Sequence, residues 1–106
     1  MIEASVNVVS AGDQVRLVLS GDVDLSNATE VQGQLSAAIP NHATQVDLDL
    51  TDVSYLDSAG LQIIFSLTGQ LRRLQIGLRI VAPPTSPAGH AMAMSGMSSL
   101  ANIEPA

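Results

Sequence analysis

The chain has no cysteine, no tryptophan and no lysine, and only one phenylalanine and one tyrosine among its 106 residues. Without cysteine there is no disulfide, no thiolate metal site and no thiol nucleophile. Aromatics make up 2% of the chain and hydrophobic residues 46%. The core therefore has to be built from Val, Leu, Ile, Ala and Met, which suits a soluble α/β fold. Basic residues are also scarce: Arg16, Arg72, Arg73 and Arg79 stand against ten acidic residues, for a net charge of -6. Four dispersed arginines make no nucleic-acid footprint, and the acidic balance disfavours anionic membranes. A protein partner with a basic docking surface fits better. No apolar run approaches a membrane span, and "MIEASVNVV" lacks the basic start and long apolar run of a signal peptide. A cytoplasmic location without membrane insertion is expected.

What is present reads as one domain over residues 1–106 with a single core, burying roughly two-thirds of the surface that the unfolded chain exposes. Val6 and Val8 alternate with polar neighbours, "AGD" turns the chain, and Val15, Leu17 and Leu19 alternate again, which predicts an N-terminal hairpin. Gly21 and Asp22 are expected to break the second strand. Asn27 with Glu30 three residues later resembles a capping box, opening a helix whose apolar positions are Ala28, Val31, Leu35, Ala38 and Ile39 and which Pro40-Asn41 ends. Val46, Leu48 and Leu50 predict a strand with one buried face. Ser58 to about Gln75 reads as a helix carrying Arg72 and Arg73 in its last turns, where cations suit the dipole, and Gly77 is expected to stop it. "LRIVA" is a further strand, and a last helix is expected at about residues 86–100. The order predicts an α/β fold: a mixed sheet of about four strands with helices packed against it.

The stretch "SYLDSAGLQII" places Asp57-Ser58 where a helix begins. Either side chain suits an N-cap, worth about 1 kcal/mol. A catalytic reading needs Ser58 as nucleophile with His42 or His90 as base. It is disfavoured, because "LDSAG" is not the G-x-S-x-G elbow and both histidines sit in contexts that suit solvated surface groups. A third reading makes Ser58 a phosphorylation switch.

"VDLDLTDVSYLDSAGLQIIFSL" resembles the core of the STAS domain, a strand and short loop before Asp-Ser-(Ser/Ala)-Gly-Leu opening a helix. "LSGDVDLSNATE" resembles the family's other landmark, a strand ending in Gly-x-(Leu/Val/Ile)-Asp before the first helix. Two motifs at the right separation make a specific fold signal. The resemblance to bacterial anti-sigma factor antagonists within this family implies a non-enzymatic regulatory module without cofactor. Unphosphorylated, such a protein binds an anti-sigma factor of the serine-kinase type and so releases a sigma factor. Phosphorylation, here of Ser58, breaks that complex, and a phosphatase restores it. The resemblance puts Asp57 at the aspartate before the acceptor and Asp24 at the acidic residue of the other landmark. The alternative it carries is a STAS subunit supporting the ATPase of an ABC-type lipid transporter.

At ~100° per residue, Ile63, Ile64, Leu67, Leu71 and Leu74 share one side of the helix and are expected in the core, whereas Ser58, Gln62, Phe65 and Gly69 cluster on another. Leu61 lies at the edge between the two. Leu61, Gln62 and Phe65 then form a contact strip beside Ser58, unless Phe65 turns into the core. The expected partner surface is Asp24, Asp57, Ser58, Leu61, Gln62 and Phe65, on a monomer or weak dimer. The segment from Ala82 to Ile103 has no Asp, Glu, Lys or Arg. Many STAS relatives resemble one another in a charged last helix, and this chain departs from them. Met92, Met94 and Met97 read either as a docking surface or, at helical spacing, as core.

Overall fold

The computed structural model describes residues 2–96 and, as backbone, residues 102–104. Its elements are β1 (Ser5–Ala11), β2 (Gln14–Val23), α1 (Ala28–Ala37), β3 (Gln45–Leu56), α2 (Ser58–Arg73), β4 (Gly77–Val81), α3 (Pro87–Ser95) and β5 (Asn102–Glu104). The strands form one mixed sheet in the order β1-β2-β3-β4-β5. The hairpin pair β1–β2 is antiparallel and the three following pairs are parallel. Four main strands and the flanking helices thus match the expected architecture, and a short fifth strand lengthens the sheet.

The core is aliphatic. Leu17 and Leu19 of β2, Leu48 and Leu50 of β3 and Ile80 of β4 are fully buried, beneath Val31 and Leu35 of α1, Ile63, Ile64, Leu67 and Leu71 of α2, and Ala88 and Met92 of α3. Each such Leu or Ile stabilises the fold by roughly 1.5–3 kcal/mol through removal from water. Met92 is therefore core, whereas Met94 is exposed; Met97 lies outside the described residues.

Gly21 does not break β2, which runs on to Val23. Gly21 has φ +86°, and a Cβ there would meet the Glu3 carbonyl oxygen at 2.2 Å. The glycine lets the strand run on with the incoming N-terminal segment pressed against it, and is not a stop. Register shifts against β3 fall between Val18 and Ser20 and between Gly21 and Asp22. Across them β2 keeps its step of two, with Leu19, Gly21 and Val23 inward, while β3 steps by three, burying Leu50, Val53 and Leu56. The added twist carries the end of β3 to the start of α2.

Four further expectations are corrected. The Asn27–Glu30 capping box does not form: Asn27 makes no side-chain cap, because its amide is engaged in the preceding loop. Helix α2 is ended not by Gly77, which opens β4, but by Leu74 and by Gln75 at φ 60°. The Ile76 N–H then returns to the Leu71 carbonyl, 2.9 Å away. Leu74, expected in the core, is 60% exposed because the helix has ended beneath it. The last helix is shorter than 86–100, since Gly96 at φ 78° caps it in the left-handed region; the rest of that range, 97–100, lies outside the described residues.

On the sheet face away from the core, Asp47 and Asp49 of β3 meet Arg79 of β4 (3.1 Å) and Arg16 of β2. Burial alone would raise the Asp49 pKa, but hydrogen bonds from Thr51 and the Arg16 guanidinium outweigh it and hold the carboxyl below its ordinary value. A depressed folded-state pKa gives stability that is complete above the unfolded value, near pH ~4, and lost as pH falls through the folded one. Asp49→Asn is therefore expected to be less stable than wild type at neutral pH, with the gap in urea midpoint narrowing below about pH 4. The gap is small, since the Arg16 side chain is 41% exposed and solvent screens the pair.

Candidate functional site

Asp57, not Ser58, caps α2. Its backbone is extended, one carboxylate oxygen accepts the N–H groups of Ala59 (2.9 Å) and Gly60 (3.0 Å), and the other accepts the Leu25 N–H at 3.2 Å. One side chain thus closes the helix start and fastens to it the loop between β2 and α1. The Asp57 N–H donates to the Val23 carbonyl at 3.3 Å, binding the loop to the end of β2 as well. Gly60 permits this approach, since a Cβ there would lie 2.4 Å from Leu56 Cδ1 and 3.0 Å from the Val23 oxygen.

The loop has its own network. Asn27 accepts the Asp24 N–H at 3.0 Å and donates to the Asp22 carbonyl at 2.8 Å, while the Asp24 carboxylate accepts the Ser26 N–H at 2.9 Å. These bonds explain why Asn27 is not a helix cap. They also hold Asp24 and Leu25 beside Asp57. Asp24, Leu25, Ser26, Tyr55 and Asp57 line one open depression.

Ser58 is the first residue of α2 and is exposed. Its hydroxyl makes no hydrogen bond among the described residues, whose polar contacts at this corner go to Asp57, Asn27 and Asp24. Gln62 is exposed too, and Phe65 is 49% exposed, so the helix carries Phe65 outward and not into the core. Leu61 is partly buried and packs against the core from the edge. Ser58 and Phe65 are seven residues apart, which sets them on one face about 10 Å along the axis.

Two residues of this surface escaped the sequence reading. Leu25 is 82% exposed and Tyr55 52% exposed, both lining the depression beside Asp57. Tyr55 points out because of the second register shift, and Leu25 because Asp57 and Asn27 pin its loop. The only available signal was their rarity of type: the single tyrosine, and a leucine in an otherwise polar loop.

The electrostatics are one-sided. Asp24 and Asp57 flank the depression, and the arginines are elsewhere. Arg16 and Arg79 are paired on the outer sheet face, and Arg72 and Arg73 sit in the last turn of α2, roughly 20 Å from Ser58 along the helix. His42 lines a different depression, with Gln70, Leu71, Leu74, Gln75 and Ile76 at the far end of α2, and His90 is exposed on α3. Neither histidine lines the depression beside Asp57. No three residues of metal-ligating type come together among the described residues, and no described helix is long and apolar enough to cross a membrane.

Known proteins share this arrangement of elements. A crystal structure of an anti-sigma factor antagonist from Mycobacterium paratuberculosis superposes with a TM-score of 0.86 at 20% identity, covering 98% of this chain and 87% of that one. SpoIIAA of Bacillus, an anti-sigma factor antagonist solved in its unphosphorylated form, gives 0.69 at 17% identity, over 96% and 89% of the two chains. At these identities the likeness is one of fold. In sequence, 57 residues are 35% identical to BtrV of Bordetella bronchiseptica, which is named as an anti-sigma factor antagonist; the match takes in 54% of this chain, and only about half (49%) of the length of that relative. The family model described as "Mlab, STAS domain" matches residues 6–103. With nearly the whole chain matched, and with both landmark segments meeting at Asp57, the protein belongs to the STAS domain family.

Proposed function

We propose that this protein is an anti-sigma factor antagonist switched by phosphorylation of Ser58. Unphosphorylated, it binds an anti-sigma factor kinase in the cytoplasm and so frees a sigma factor; the phosphorylated form lets go, and a phosphatase returns it to the binding state. The observation that carries this reading is the Ser58 hydroxyl. It is exposed and unengaged beside a cap that Asp57 fills alone, and apolar Leu25, Tyr55 and Phe65 stand exposed around it. Modification there leaves every cap bond in place while altering the surface that a partner meets. SpoIIAA, which shares the fold, has been solved in both unphosphorylated and phosphorylated forms.

The contact surface in this reading is Asp24, Asp57, Ser58, Leu61, Gln62 and Phe65, joined by Leu25 and Tyr55. A half-exposed aromatic on such a surface is a strong anchor. Phe65→Ala is expected to weaken partner binding about fivefold or more, as an anchor worth over ~1 kcal/mol does. Its unfolding free energy changes by less than ~1 kcal/mol, because the ring is only partly withdrawn from water. Calorimetric titration beside thermal melts checks both halves.

The same apolar strip suits a second reading, a STAS subunit supporting the ATPase of an ABC-type lipid transporter, because a constitutive partner can also use it. Incubation with ATP and the anti-sigma kinases of the same cell, followed by intact mass, separates the two. One phosphate on wild type and none on Ser58→Ala supports the switch. An unmodified protein that co-purifies with an ABC ATPase rejects it.

A further inference from the structure

The sheet order leaves β1 as an edge, and β1 has none of the features that usually keep an edge strand unpaired. Its seven residues, SVNVVSA, include no charge and no proline. Pairing with β2 runs without a bulge from Ser5 opposite Ser20 to Ala11 opposite Gln14. Val8 is 46% and Val9 59% exposed. The other edge, β5, is only three residues long.

Backbone parity fixes which groups of β1 are free. The turn is the two-residue Gly12-Asp13 with Gly12 at φ 65°, of the II′ kind, whose closing pair Ala11–Gln14 is hydrogen-bonded. Counting back by twos, Ser5, Asn7 and Val9 turn their N–H and C=O toward β2, while Val6, Val8 and Ser10 turn theirs outward. Val6 and Val8 also line a shallow groove with Gln34, Ala37 and Ala38 at α1.

We propose that β1 pairs with itself: two copies of this chain join antiparallel, β1 to β1, about a two-fold axis at Asn7, making one continuous sheet. An outward-facing residue can only oppose another outward-facing one, so the axis passes through a residue and not between two. An axis at Val8 sets Glu3 against Asp13 of the second copy, an acidic pair that opposes association. An axis at Asn7 moves Glu3 opposite Ala11. It sets Val6 against Val8 twice, Ser5 against Val9 and Ala4 against Ser10, all small or apolar. The two Asn7 residues then form a non-hydrogen-bonded pair at the closest cross-strand spacing, where each amide can both donate to and accept from the other.

The symmetry also closes the assembly. Each copy uses its one long edge, and the three-residue β5 edge offers too little to extend the sheet further. The net charge of -6 on each copy opposes association, but from Ala4 to Ser10 the seam holds no charge and Glu3 at its ends faces only Ala11, so salt strengthens the dimer by screening the remainder. Ser58 lies on α2 and not on this edge, so the pairing stands whether or not the switch does.

The absence of cysteine makes the register testable. In Asn7→Cys the two thiols face each other with Cα atoms about 4.5 Å apart, within disulfide range. In Val9→Cys they are four residues out of step, roughly 13 Å along the strands. Mild oxidation is expected to give a covalent dimer of Asn7→Cys and none of Val9→Cys. In sedimentation at about 100 μM, where a micromolar contact is saturated, wild type is expected at twice its 11.0 kDa chain mass and more so at high salt. Val8→Lys, which sets a charge against the seam, is expected at the single mass with an unchanged far-UV spectrum. A wild-type monomer at this concentration, a Val8→Lys dimer, or equal cross-linking of the two cysteine variants overturns the proposal.

Discussion

Asp57→Ala is expected to lower stability by about 2 kcal/mol and the melting temperature by roughly 10 °C, whereas Ser58→Ala leaves both nearly unchanged. The asymmetry follows from which oxygen holds the helix. The Asp57 carboxylate accepts from Ala59 and Gly60 with one oxygen and from Leu25 with the other, and Ser58 accepts nothing among the described residues. Loss of an N-cap costs typically ~1 kcal/mol. Loss of a negative charge at the positive end of the dipole costs a further ~0.3–1 kcal/mol, and the Leu25 N–H must find water. Asp57→Asn is the informative intermediate, keeping an acceptor for the helix while removing the charge. Melting curves of the three variants separate the terms, and an equal loss in Asp57→Ala and Ser58→Ala would return the cap to the serine.

That the cap belongs to Asp57 was open in the sequence because both residue types are good N-caps and they are adjacent. Only the extended backbone at Asp57, set by where β3 ends, decides between them. The end of β3 was itself hard to read for a definite reason. Val46, Leu48 and Leu50 alternate as a half-buried strand does, but Leu50, Val53 and Leu56 are three apart, a spacing that suggests a loop or a helix. Two bulges against β2 make it a strand, and bulges arise from pairing with a partner that a single segment does not display. The exposure of Tyr55 follows from the same irregularity.

Legible features were those where one local pattern met one environment. The hairpin, the buried faces of β2 and β3 and the inner face of α2 depend on period alone, and Ile63, Ile64, Leu67 and Leu71 are buried as their spacing requires. Leu74 continues that spacing but lies past the end of the helix, so its phase no longer points anywhere in particular. The capping-box pattern at Asn27–Glu30 failed through competition: the amide satisfies the Asp24 N–H and the Asp22 carbonyl instead of the first turn of α1. That same competition builds the site, because it holds the Asp24–Leu25 loop against Asp57. The two landmark segments are 32 residues apart at the Leu25–Asp57 bond, a juxtaposition that motif matching implied and periodicity did not.

Ser58→Asp is expected to weaken binding to the anti-sigma partner by about 100-fold or more while shifting the melting temperature by no more than a few degrees. The serine is exposed at the first position of α2, so a carboxylate there meets water and the positive end of the dipole, and the fold tolerates it. It cannot be drawn inward. The Ala59 and Gly60 N–H groups are already taken by Asp57, and Arg72 and Arg73 lie at the other end of the helix. The new charge therefore stays on the surface beside Asp24 and Asp57. A partner docking on Leu25, Tyr55 and Phe65 would have to strip water from it within an apolar contact already lined by two acids, and like charge with desolvation costs several kcal/mol. Phosphoserine, at about -1.5 to -2 charge, should exceed aspartate in the same direction. Titration of the partner against wild type, Ser58→Ala and Ser58→Asp measures the effect. Tight binding by the first two and loss in the third locates the switch in charge at the surface, and equal binding by all three refutes it. A fall in melting temperature of tens of degrees in Ser58→Asp would instead place the effect in the fold, which the free hydroxyl and the fully occupied Asp57 cap argue against.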